Sequence, residues 1–172
     1  MHKRDQVLQQ EKIEALLGPI DGHYFKGQYS DPEISIRLLS DLGKKRQNNE
    51  DSCMLYVPGS EALTDSRGIL VAVADGMGGA KAGEYASHNA LRCICPVYYE
   101  RNPHALVPAA LRQAVEAANA FVFRESEHNI DFSGMGTTVS ALAIVGNWAY
   151  IAQVGDSRIY LLRSGMPLKQ LT

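Results

Sequence analysis

The sequence offers no apolar run long enough to cross a bilayer, and no apolar stretch behind Lys3, Arg4 and Asp5 that would make a signal peptide. It also lacks a long basic run. KRDQ and GKKRQ are too short, and a net charge of −2 gives no clustered Lys and Arg of the kind that nucleic acid or an anionic membrane requires. Cysteine is scarce: three thiols cannot close a disulfide framework, which favours a reducing compartment and a cytoplasmic location. Histidine and cysteine nowhere form a ligand cluster, so a zinc centre is not indicated.

What is present is ordinary globular composition: 172 residues and 45% hydrophobic content, enough for one domain with a substantial core. Its organising stretch is ILVAVADGMGGAKAGE, Ile69 to Glu84. Ile69 to Ala74, a short apolar run rich in β-branched residues, reads as a buried strand that delivers Asp75 at its end. Gly76, Gly78 and Gly79 then permit a sharp turn before a helical pattern begins near Ala82. A solvated Asp at a strand-to-helix turn would look the same, so the other acidic clusters must decide.

Upstream, Val7, Leu8, Ile13, Leu16 and Leu17 lie at near-helical spacing before Gly18-Pro19, which predicts a short leader helix. Asp21 to Asp31 mixes glycine and polar residues without period and reads as a linker, so residues 1–32 form a leader and the domain starts at 33. His23 in that linker has no assigned role. From Glu33, the alternation of Ile34, Ile36 and Leu38 predicts a half-buried strand ending near Ser40-Asp41. Gly43 to Ser52, GKKRQNNEDS, concentrates Arg46, Asn48, Asn49, Glu50 and Asp51. Adjacent carboxylates repel unless water or a cation compensates, and adjacent strand residues face opposite ways, so at most one of the two points directly into a site. A polar hairpin loop accounts for the same residues.

Downstream, Ala86, Ala90, Leu91 and Ile94 predict a helix that Pro96 ends or kinks. Cys95 and Arg101 have the spacing of a cysteine-dependent phosphatase. The intervening PVYYE has no glycine to turn amides around an anion and carries a repelling Glu100, so Cys93 and Cys95 read as small core residues. A second helix follows, with Pro108 in its first turn and Ala110, Leu111, Ala114, Val115, Ala118, Phe121 and Val122 as a core stripe. The rest is a strand meander broken at Gly146-Asn147, Gly155-Asp156-Ser157 and Ser164-Gly165, with Thr137-Thr138 able to satisfy backbone groups and Trp148 read as packing. Strands, two helices, then strands without βαβ alternation predict an α+β layered fold.

Glu50, Asp51, Asp75 and Asp156 are thus oxygen donors at turns, a set that suits magnesium, manganese or calcium. Four ordered blocks, SDLGKKRQNNED, VAVADGMGGAKAGE, GMGTT and VGDSRIYLL, make residues 40–172 resemble the bacterial metal-dependent protein phosphatases, the protein phosphatase 2C or PPM type. The resemblance implies a layered α-β-β-α sandwich of two antiparallel sheets flanked by helices, with two Mn or Mg ions per complete site and a weaker third. Asp75 would bridge the ions and the Gly76 carbonyl bind one. Glu50 would serve the second directly or through water, with Asp51 in support, and Asp156 would help hold the third. Arg46 matches the arginine that holds the substrate phosphate, as its planar fork suits. Where animal members carry a histidine after the DG pair, this chain has Met77, so a proton for the leaving oxygen must come from water or elsewhere.

The implied activity is hydrolysis of phosphoserine and phosphothreonine in proteins by metal-activated water without a phosphoenzyme, opposing a serine/threonine kinase. The family pattern continues with further strands and two more aspartates that this sequence does not contain. The expectation is therefore the N-terminal portion of the phosphatase domain, 33–172, incomplete at its C-terminus. The rival expectation is a non-catalytic phosphatase-like module that binds a partner or regulates a kinase.

Overall fold

The computed structural model describes residues 5–7, 16–19 and 23–172. The apolar run at its centre becomes strand β6, Ile69–Met77, whose two faces are both used. Leu70, Ala72 and Ala74 are buried against helices, while Ile69 and Val71 pack with a second sheet. That double burial explains why the run is nearly continuous rather than alternating.

Numbered in chain order, the strands before it are β1 (Asp5–Val7), β2 (Leu16–Gly18), β3 (Tyr24–Ser30), β4 (Ser35–Asp41) and β5 (Asp51–Tyr56). After β6 come β7 (Gly136–Thr137), β8 (Val139–Val145), β9 (Trp148–Val154), β10 (Tyr160–Leu161) and β11 (Lys169–Gln170). The larger sheet has the order β2-β5-β6-β8-β9, antiparallel throughout, with β7 paired to the end of β6. A smaller sheet, β1-β3-β4, faces its β2-β5 side, and β10 and β11 form a separate pair. The helices are α1 (Glu61–Arg67), α2 (Ala80–Glu100) and α3 (Val107–His128). Ala86, Ala90, Leu91, Ile94 and Tyr98 of α2 and Leu111, Ala114 and Ala118 of α3 fill the core against the larger sheet. The described residues thus form three of the four expected layers, in the order α-β-β.

Four expectations are corrected or narrowed. The ends of the supposed leader helix are strands: β1 pairs in parallel with β3, and β2 pairs with β5, while residues 8–15 lie outside the described residues. The linker from 21 to 31 contains β3, fixed by seven partners on β4 and by burial of Phe25. Tertiary pairing there overrides a locally featureless composition. Of the two outcomes expected at Pro96, an end is excluded: helix α2 runs to Glu100, because Tyr98 and Tyr99 are buried there and donate hydrogen bonds to the Arg67 and Gly68 carbonyls at 2.7 and 2.8 Å. Trp148, at the start of β9, is 70% exposed and packs in no core.

Helix α1 was not foreseen. It is short, but its signals are in the sequence: Ser60 caps its start by accepting the Leu63 N–H, and Gly68 closes it at φ 65°.

Candidate functional site

Strand β6 extends three residues further than its apolar run, because β7 pairs with Gly76 and Met77. Asp75 therefore sits inside the strand, and the turn is made by Gly78 and Gly79 at φ 126° and 84°. Gly76 is needed for space: a Cβ there would overlap the Gly83 carbonyl oxygen and lie 2.7 Å from the Glu50 carbonyl.

Three hydrogen bonds fix the Asp75 backbone. Its N–H donates to Thr138 Oγ1 at 2.9 Å, and its carbonyl accepts from Thr138 N–H at 2.9 Å and from Thr137 Oγ1 at 3.1 Å. The two threonines do satisfy backbone groups, as expected. Thr138 Oγ1 also shares a 2.8 Å bond with Ser157 Oγ, which ties the loop carrying Asp156 to the strand carrying Asp75.

Across the sheet, Asp51 is the direct partner of Asp75 in the β5-β6 register. Partial burial raises the Asp51 pKa first, and the facing Asp75 carboxylate raises it further, while Arg46 opposes the shift. Glu50, one residue earlier, turns away from this pair. Its side chain is 12% exposed, pairs with the outward Arg46 guanidinium at 3.6 Å, and lies on the first turns of α2. The adjacent carboxylates therefore diverge, as their neighbouring positions dictate. The Glu50 carbonyl is held as well, accepting from Ser87 Oγ at 2.6 Å and Gly76 N–H at 3.2 Å.

The residues that sequence reasoning passed over are the supports. Asn49, 4% exposed, donates to Ser40 Oγ at 2.8 Å and to the His23 carbonyl at 3.3 Å, and accepts the Asp51 N–H at 3.1 Å. Ser87 is fully buried and joins Glu50 to Ser52. The available signal was a serine on the buried, alanine-rich face of α2, where an unpaired hydroxyl would be costly.

Asp51 and Asp75 thus come together, while the Glu50 carboxylate turns to Arg46 and the first turns of α2. The Asp156 carboxylate acts on Arg158, and its loop is linked to the strand carrying Asp75 through Ser157 and Thr138, while Gln153 holds the Ser157 carbonyl at 2.6 Å. Among the described residues no group of three or more His, Cys, Asp or Glu side chains converges to hold an ion. The donor set nonetheless fits a hard divalent cation: two opposed carboxylates, one held above its usual pKa by burial and then by the other, are what a cation between them would relieve. A cysteine nucleophile does not fit. Cys95 lies within α2, and burial pushes its thiol up to about 12, far from the thiolate such chemistry needs.

The family model described as protein phosphatase 2C matches residues 39–172. The chain belongs to the protein phosphatase 2C family. It is 39% identical over 133 residues to the serine/threonine protein phosphatase PstP of Mycobacterium tuberculosis, covering 77% of this chain and 23% of that one. It is 36% identical over 144 residues to the serine/threonine phosphatase stp of Listeria monocytogenes, covering 81% and 54%. The crystal structure of the catalytic domain of PstP in complex with two manganese ions superposes with a TM-score of 0.61 at 33% identity, covering 92% of this chain and 56% of that one. Stp1 of Staphylococcus aureus superposes with a TM-score of 0.61 at 25% identity, covering 100% and 57%. The chain therefore spans about half the length of most of these protein phosphatase 2C relatives, and about a quarter of PstP.

Proposed function

We propose that this chain carries metal-dependent hydrolysis of phosphoserine and phosphothreonine in proteins, without a phosphoenzyme. The observation that carries the reading is the Asp51-Asp75 pair, two carboxylates opposed across neighbouring strands. Asp75, Asp51, Glu50 and the Gly76 carbonyl would hold two Mn or Mg ions, and Asp156 a further one. When bound, such ions lower the pKa of water and offset charge on the phosphoryl oxygens. The remaining work falls to the chain itself. Thr137 and Thr138 fix the Asp75 backbone and hence the direction of its carboxylate. Arg46, 72% exposed and paired with Glu50 at 3.6 Å, would turn its guanidinium fork to a substrate phosphate. Met77 offers no proton, so the leaving oxygen takes one from solvent.

The substrates would be phosphoproteins made by a serine/threonine kinase in the same cytoplasmic compartment. The supporting facts are the names of the protein phosphatase 2C relatives, the absence of any helix long and apolar enough to cross a membrane among the described residues, and the lack of a basic run.

A phosphothreonine peptide incubated with the 172-residue chain across a manganese titration is the test. Metal-dependent turnover, reduced by at least about 100-fold in Asp75→Asn, is the expected result. No turnover from a folded sample would instead favour a second reading, a phosphatase-like module that binds a partner. The missing convergence of three ligands among the described residues is the observation on that side.

A further inference from the structure

Gly83 lies in the first turns of α2 and is buried. Glycine within a helix is less favourable than alanine, because it loses more backbone freedom and adds no side-chain contact. Its φ is not positive, so no backbone conformation demands it. The space beside it supplies the reason: a Cβ on Gly83 would overlap Glu50 Oε2 and lie 2.8 Å from Cδ and 3.1 Å from Cγ. The Glu50 carboxylate rests where a side chain at 83 would be.

The contact is selective. The overlapping atoms belong to the far end of one flexible side chain rather than to backbone, so a methyl group at 83 would displace the carboxylate and leave the framework standing. The rest of Glu50 cannot follow, because its carbonyl is anchored by Ser87 and Gly76. The location also suits an anion. Helix α2 has no side-chain cap on Gly79 and no acidic residue in its first turn, so Glu50 brings from β5's leading loop the negative charge that the positive end of the helix favours.

We propose that Gly83 is a positioning residue: its missing side chain makes the seat that holds the Glu50 carboxylate on the first turns of α2, within reach of Arg46. The consequence for metal binding rests on the proposed function, but the placement of Glu50 does not. Helix stability is given up at 83 in exchange for the direction of one carboxylate.

Gly83→Ala in the full chain tests this with three readouts. Its melting temperature should equal or exceed that of the wild type, since alanine is the better helix former. The side-chain carboxyl carbon resonance of Glu50, assigned by its loss in Glu50→Gln, should shift in the metal-free protein. Manganese affinity, measured by calorimetry, should fall about tenfold, and Gly83→Ala should cost nothing further in a Glu50→Gln background. An unshifted resonance, an equal loss of affinity in both backgrounds, or an unfolded variant would each overturn the proposal. A wild-type chain that binds no manganese would overturn the metal reading of the site and leave the resonance to decide the seat.

Discussion

At the scale of single residues, polar side chains buried in the core determine how the acidic ones are presented. Asn49 and Ser87 make no chemistry themselves, yet together they hold the peptide between Glu50 and Asp51. His88, one position along α2, is a titrating neighbour with a measurable consequence. Burial lowers its pKa first, Arg92 lowers it further, and Glu84 opposes them, so the folded state favours the neutral ring. A histidine whose folded pKa lies below its unfolded value of about 6.5 contributes stability in full above that value and loses it as the pH falls through the folded pKa. Urea unfolding at about pH 7.5 and about pH 5.5 should therefore show a loss of stability on acidification that is smaller in His88→Gln. Equal losses in both proteins would assign the acid sensitivity to other groups.

At the scale of elements, α2 is the part that reaches from one end of the molecule to the other. Its first turns meet Glu50 and Asn48, and its last turn is bolted to the start of β6 by Tyr98 and Tyr99. Arg67 strengthens that bolt. It is 3% exposed and has no carboxylate partner among the described residues, and it donates instead to the Ala105 and Asn102 carbonyls at 2.8 Å beneath the Tyr98 ring. These contacts explain how the helix passes Pro96 without stopping. Tyr99→Phe, which leaves the Gly68 carbonyl unpaired in the core, should cost about 1–2 kcal/mol in denaturant unfolding. A cost near zero would mean that water reaches that carbonyl and that α2 is held by apolar burial alone.

At the scale of the whole molecule, the two sheets cover each other only in part. The smaller sheet lies over β2, β5 and the start of β6, while Val73 and Ile151 on the same face remain 43% and 36% exposed. Strand β9 ends the sheet order among the described residues, so an apolar face and an open edge coincide. With a net charge of only −2 there is little repulsion to keep copies apart. Light scattering over a concentration series should show self-association, and Ile151→Lys should reduce it. Unchanged scattering in that variant would move the cause elsewhere on the surface.

The sequence by itself determined the family and the α+β class, because those follow from ordered local blocks and from hydrophobic period, and it named Glu50, Asp51, Asp75 and Asp156 as candidate ligands. The double-faced burial of β6 was legible in its unbroken apolar run, and the core stripe of α3 in its spacing. What only the tertiary structure decided are relations between distant positions. No local pattern distinguishes a glycine-rich polar stretch from β3, which exists because β4 pairs with it. None foretells that Asp51 lies opposite Asp75, which depends on strand register, or that Glu50 fills the space left at Gly83. Sequence specifies which groups can carry charge; packing decides which of them must face one another, because electrostatic and steric costs depend on separation in space.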